Sequence, residues 1–174
     1  MDTFYAALKK QTTLPAKTIA LTFDDGYIDF YYNAYPILRR YNLNATVFVI
    51  TGFVGKPAYL TWGQIKEMQG SGLIHFGAHT VHHYQLTALS DDSLRYELTE
   101  SKKVLEEETG VPVNFMAYPY GVSDTRVIAM TRQAGYIGSA GTWAGKIQSE
   151  GTIYNMPRLR IGGGVGMAFF EKLL

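Results

Sequence analysis

Lys17-Thr-Ile-Ala-Leu-Thr-Phe-Asp-Asp-Gly26 runs from a strand-like apolar stretch straight into two adjacent carboxylates and a turn. Asp-Gly alone is a common turn signal. Two carboxylates leaving an apolar strand, however, repel each other unless a cation or hydrogen bonds compensate. Adjacent residues point in different directions, so one can bind a metal while the other faces a water beside it. That division of labour suits metal-assisted hydrolysis.

Outward from this strand, short apolar runs alternate with helix-like stretches, the signature of parallel α/β architecture. Further strands are expected over 45–50, 73–78, 113–117 and 136–140, with another over 152–161 broken at Pro157. The 45–50 run is apolar throughout, as a buried parallel strand should be. Helices are expected over 33–41 with Asn33 as cap, over 61–70 behind the Thr61/Gln64 capping box, over 91–109 between Ser90 and Gly110, and over 124–134. The tail 165–174 reads as a last amphipathic helix, and residues 1–16 as an N-terminal arm of a single domain spanning 1–174. The charges of the 91–109 helix, Glu97 among them, read as a solvated face.

In parallel α/β folds the loops after the strands' C-terminal ends carry the chemistry. Asp24 and Asp25 end the first strand, His79 ends the third, and Tyr118-Pro-Tyr-Gly121 ends the fourth. The chain has four histidines, all between His75 and His83. His79 and His83 are spaced i, i+4 and can face one point; with a carboxylate they suit Zn²⁺ or a similar ion. His79 with His82 is the rival pairing. His75 shares the strand parity of His79 and reads as a core histidine.

Composition bounds the alternatives. The 174 residues are 47% hydrophobic and 18% charged, enough for a real core. A net charge of +1 argues against a nucleic-acid partner. No apolar run approaches the roughly 20 residues of a membrane span, and no signal peptide is visible. Zero cysteines exclude thiol catalysis and Cys–zinc sites. The 14% aromatic content is high, and Tyr27, Phe30, Tyr31, Tyr32 and Tyr35 crowd the stretch after Asp25. Some must be core; Tyr27, Tyr31 and Tyr32 are candidates for stacking on sugar rings.

Thr22-Phe-Asp-Asp-Gly26, His79-Thr-Val-His-His83 and Ala117-Tyr-Pro-Tyr-Gly121, in this order and spacing, resemble the first three motifs of the polysaccharide deacetylases, the NodB-homology enzymes of carbohydrate esterase family 4. Ala-Tyr-Pro-Tyr-Gly together with Pro157-Arg158 resembles one branch of that family. The resemblance implies a distorted (β/α)7 barrel of NodB type, with an open or incomplete form allowed by the short chain. It implies a divalent metal, zinc foremost and cobalt, nickel or manganese as alternatives, held by Asp25, His79 and His83. It implies Asp24 as catalytic base, the Tyr120 backbone N–H as oxyanion donor, and an aromatic wall from Tyr118, Tyr120 and Trp143. The implied activity is removal of acetyl groups from an N- or O-acetylated carbohydrate, foremost an N-acetylglucosamine polymer, in a secreted or cell-envelope setting.

Two departures stand out. The family's third motif usually opens with an arginine that holds the base, and here that position is Ala117; Arg158 is the candidate replacement. The family's late Leu-x-His supplies a general acid, and this chain has no His after His83. His82, His75 or a histidine outside this chain could substitute. A sugar-binding protein without turnover and an amidase for non-carbohydrate amides are the competing functional readings.

Overall fold

The structure, a computed structural model, describes residues 1–162 and 164–173. In chain order the regular elements are α1 (Asp2–Leu8), β1 (Leu21–Phe23), α2 (Tyr35–Arg40), β2 (Ala45–Val49), α3 (Trp62–Gly70), β3 (Ile74–Ala78), α4 (Asp91–Thr109), β4 (Phe115–Ala117), α5 (Thr125–Gln133), β5 (Gly138–Ala140) and α6 (Met167–Leu173). The five strands are all parallel and lie in the order β1-β2-β3-β4-β5. Each neighbour in space is thus the next strand in sequence, the repeat from which a β/α barrel is built.

Among the described residues the sheet stays open, with five strands where the family resemblance implied about seven. Ala140 continues it by a single parallel bridge to Met156. The strand expected over 152–161 does not form. Glu150–Thr152 is a short 3-10 turn, and Pro157 offers no N–H to extend a ladder. The Arg158 N–H goes instead to the Trp143 carbonyl at 3.1 Å.

Local signals explain most element ends. Thr61 and Gln64 form the expected capping box of α3. Ser90 caps α4, and Gly110, at φ 73°, ends it in the left-handed conformation that glycine adopts without strain. The expected helix over 33–41 is different: a π-helix covers Phe30–Ala34, placing Asn33 inside it rather than at a cap, and α2 follows with Pro36 in its first turn. Of the expected tail helix, Met167–Leu173 is helical, and Leu174 lies outside the described residues.

Alternate side chains of each strand serve two layers. Val47, Val49 and Ile74 pack outward under α2 and α3, and Ala78 and Met116 under α4 and α5. Phe48, Phe115, Ala117, Ala140 and Met156 fill the barrel interior. Helix α1 closes over that interior with Met1, Phe4, Tyr5 and Leu8, Tyr5 meeting Phe115 edge-on at 5.9 Å. Gly77 is required here: a Cβ would lie 2.6 Å from the Phe48 ring. The C-terminal strand ends are left as a polar rim.

Candidate active site

The rim begins at β1. Phe23 packs edge-on against Phe30 at 4.7 Å, which anchors the strand end, and the chain then turns through Asp25 (φ 72°) and Gly26 (φ 76°). A left-handed conformation costs a non-glycine residue about 1–2 kcal/mol. The turn aims the two carboxylates apart, as adjacency predicts.

Asp25 points to the loop after β3. Its Oδ1 is 3.4 Å from His79 Nε2 and 3.4 Å from His83 Nε2. The three potential ligand atoms all lie within 4.8 Å of one another. A tetrahedral ion with bonds of about 2.1 Å sets its ligand atoms about 3.4 Å apart, which the Asp25–His79 and Asp25–His83 pairs match. His79 Nδ1 donates to the Ala117 carbonyl at 2.7 Å, which fixes the ring's orientation and turns Nε2 to the cluster. Asp25, His79 and His83 are a donor set that could hold a metal ion.

The electrostatics agree. The hydrogen bond to His79 holds the Asp25 carboxyl below its ordinary value; burial opposes this, and the charges of His79, His83 and Arg160 assist it. Burial, aided by the His79 charge, keeps His83 below the ordinary imidazole value and therefore neutral near pH 7. A neutral His83 and an ionised Asp25 are the forms in which these two groups would hold a metal.

Asp24 turns the other way, to Arg158. The guanidinium donates to both carboxylate oxygens, Nη1 to Oδ1 and Nη2 to Oδ2, each at 2.7 Å. Arg158 is itself oriented: its Nε donates to the Gly141 carbonyl at 2.8 Å and Nη1 also reaches Thr22 Oγ1 at 3.2 Å. The fork fixes the carboxylate plane as a single-point contact could not.

The remaining candidates separate. Tyr120 (φ 60°) sets its ring edge-on to His83 at 4.7 Å, beside the triad. Gly121, at φ 71°, leaves no room for a Cβ against Thr142, whose hydroxyl donates to the Tyr120 carbonyl. Tyr27 is exposed, stacks on Tyr59 at 5.1 Å, and lies near enough for the Asp25 charge to push its phenol up. Trp143 is 47% exposed, with its indole N–H held by Asn155 at 3.0 Å.

Tyr118 does not belong to an aromatic wall. It is 0% exposed, and its hydroxyl donates to the Tyr154 carbonyl while accepting from Ser139, so it is a core residue. Tyr31 is committed elsewhere: its hydroxyl donates to Glu67 on α3 at 2.7 Å, in a surface groove shared with Tyr32, Arg39 and Arg40.

Neither spare histidine faces the cluster. His82 turns to Glu97 on α4, with Nδ1 2.6 Å from Oε1, and stacks on Tyr84. His75 is exposed rather than in the core, at the N-terminal end of β3 beside Asp2 and Asn114, four residues back from His79. Four strand residues are about 13 Å. Glu97, expected on the solvated face of α4, is buried instead, 2% exposed. Its sequence position contained the signal, since it falls three residues after Leu94 and beside Leu98 on the buried stripe of α4.

An open parallel barrel with carboxylates and imidazoles gathered on one rim is the NodB-type arrangement, and comparison with known proteins agrees. A family model described as polysaccharide deacetylase matches residues 11–138; this chain belongs to the polysaccharide deacetylase family. It is 31% identical over 140 residues to a poly-beta-1,6-N-acetyl-D-glucosamine N-deacetylase of Staphylococcus aureus, covering 73% of this chain and 48% of that protein. It is 32% identical over 154 residues to YxkH of Bacillus subtilis (strain 168), covering 88% of this chain and 55% of that one. The chain thus spans about half the length of the curated relatives it matches. Among solved structures, Streptococcus pyogenes deacetylase PplD in complex with acetate superposes with a TM-score of 0.91 at 33% identity, over 98% of this chain and 76% of that one. IcaB from Ammonifex degensii gives 0.85 at 28% identity, over 91% and 74%.

Proposed function

We propose that this chain is a metal-dependent hydrolase that removes acetyl groups from an N-acetylated carbohydrate, with a β-linked N-acetylglucosamine polymer of the cell envelope or its surroundings as substrate. The observation that carries this is the Asp25/His79/His83 cluster with an arginine-held Asp24 as its neighbour, in a member of the deacetylase family. Several relatives are named for that polymer. Among the described residues no helix is long and apolar enough to cross a membrane.

Asp25, His79 and His83 would hold the ion, zinc foremost, with cobalt, nickel or manganese as alternatives. When bound, such an ion supplies Lewis acidity toward the acetyl carbonyl and makes a nearby water more acidic. Asp24 takes a proton from the attacking water. Arg158 keeps that carboxylate in one orientation throughout. The Tyr120 N–H donates to the oxygen that gains charge in the tetrahedral intermediate, where a fixed donor is worth most. The departing nitrogen needs a proton. His82 is bound to Glu97 and His75 sits at the far end of the barrel, so the proton that Asp24 has taken up is passed to that nitrogen. A single carboxylate therefore acts first as base and then as acid. Tyr27 and Trp143, both exposed, are the ring surfaces for the sugar.

The test is metal uptake and acetate release in Asp25→Ala and His79→Ala. Both variants should lose both properties. Wild-type uptake rates of zinc with no change in either variant would sink the assignment of the ligands.

A further inference from the structure

Glu97 is a buried carboxylate that the chemistry above does not use. It projects from the inner face of α4 toward the loop carrying the histidines. Its Oε2 accepts the backbone N–H groups of Val81 and His82 at 2.8 and 2.9 Å, and its Oε1 meets His82 Nδ1 at 2.6 Å. All three donors come from the two residues between Thr80 and His83.

That loop is not a conformation the segment favours by itself. Thr80 (φ 66°) and His83 (φ 59°) both lie in the left-handed region. Thr80 Oγ1 accepts the His83 N–H at 3.0 Å, and the N–H groups of Thr51 and Gly52 hold the Thr80 and Val81 carbonyls at 3.1 and 3.0 Å. These contacts hold the loop carbonyls and one amide. The Val81 and His82 amides and Nδ1 of the competing imidazole go to Glu97.

We propose that Glu97 is a positioning residue for the metal site: by binding the Val81 and His82 amides and the His82 ring together, it turns His82 away and delivers His83 to the cluster with His79 and Asp25. This rests on the metal reading of that cluster. Sequence spacing allows either His82 or His83 to pair with His79; in the structure the choice coincides with the Glu97 contacts. A residue needed only to pack α4 would be replaceable by an apolar side chain, whereas three converging donors need a carboxylate. Changes to groups that orient metal ligands typically lower metal affinity by about 10–100-fold.

The experiment measures zinc affinity of the full chain by competition with a chromophoric chelator, in the parent, Glu97→Gln and His82→Ala, with melting of each metal-free protein alongside. Glu97→Gln keeps shape and volume but faces His82 with an amide. About a tenfold loss of zinc affinity is expected, with metal-free melting little changed. His82→Ala removes a half-exposed ring and one of the three bonds while leaving both amides on Glu97, and a loss of zinc affinity smaller than that of Glu97→Gln is expected. Folded variants that bind zinc as tightly as the parent overturn the proposal, and His82→Ala decides it if Glu97→Gln does not fold. A parent protein that binds no zinc overturns the metal reading itself, a result distinct from unchanged variants.

Discussion

Arg158 grips both oxygens of Asp24 at 2.7 Å across 134 residues of sequence. The arginine stands just beyond the Met156 bridge that follows β5, the carboxylate just beyond β1 at the opposite edge of the sheet. The pair therefore spans the open side of the barrel. It also provides for Asp24 the arginine that the family pattern places where this chain has Ala117.

Replacing Arg158 should damage turnover more than metal binding. Lysine cannot reproduce the two-pronged contact. A positioned base contributes about 10²–10⁴-fold, so Arg158→Ala should lower kcat on the order of 10²-fold and Arg158→Lys somewhat less. Zinc affinity should stay near that of the parent in both. The comparison is acetate release against chelator competition; equal loss of both would show that Arg158 supports the ligands instead.

The aromatic residues should divide cleanly. Tyr118→Phe removes a buried hydroxyl that bonds Tyr154 and Ser139, so it should cost about 1–2 kcal/mol of stability and leave KM alone. Tyr27→Ala and Trp143→Ala remove exposed rings beside the site and should raise KM with little effect on melting. Denaturant titration and steady-state kinetics separate the two classes. A rise in KM for Tyr118→Phe would return that ring to the pocket.

Acid should destabilise the metal-free protein in two stages. The folded His83 sits below its ordinary value of 6.5, so as pH falls below 6.5 the unfolded chain gains a proton that the folded one refuses, and stability drops until the folded value is passed. Asp25 is also depressed, from 3.8, so its contribution is present above 3.8 and is lost as pH falls through its lower folded value. Melting of the metal-free chain between pH 7 and 5 should show the first stage, and His83→Gln should flatten it. An unchanged slope in that variant would contradict the half-buried, neutral His83.

Much of this was legible beforehand because the chemistry sits where regular structure ends. Apolar runs such as Ala45–Val49 mark the strands, and Asp24, Asp25, His79 and Tyr120 follow strand ends directly. Less legible were contacts between elements distant in sequence. Tyr118 follows β4 immediately, and only packing beneath Tyr154 shows that it turns inward. Glu97 looks like its charged neighbours on α4 until the loop at Val81–His82 is laid over it. The helix α1 is too short for periodicity to show that Phe4, Tyr5 and Leu8 share a target. The 152–161 stretch has strand composition, but Pro157 and the demands on Arg158 prevent a ladder.

The central claim is best tested by acetate release from oligomers of β-linked N-acetylglucosamine, using the full chain stripped of metal, the same protein reloaded with zinc or cobalt, and Asp24→Asn reloaded in the same way. The account predicts release by the reloaded protein, none by the stripped one, and an Asp24→Asn variant that takes up metal normally but is slower by about 10²–10⁴-fold. Metal uptake without acetate release from any such oligomer, or release that is indifferent to metal, would contradict it.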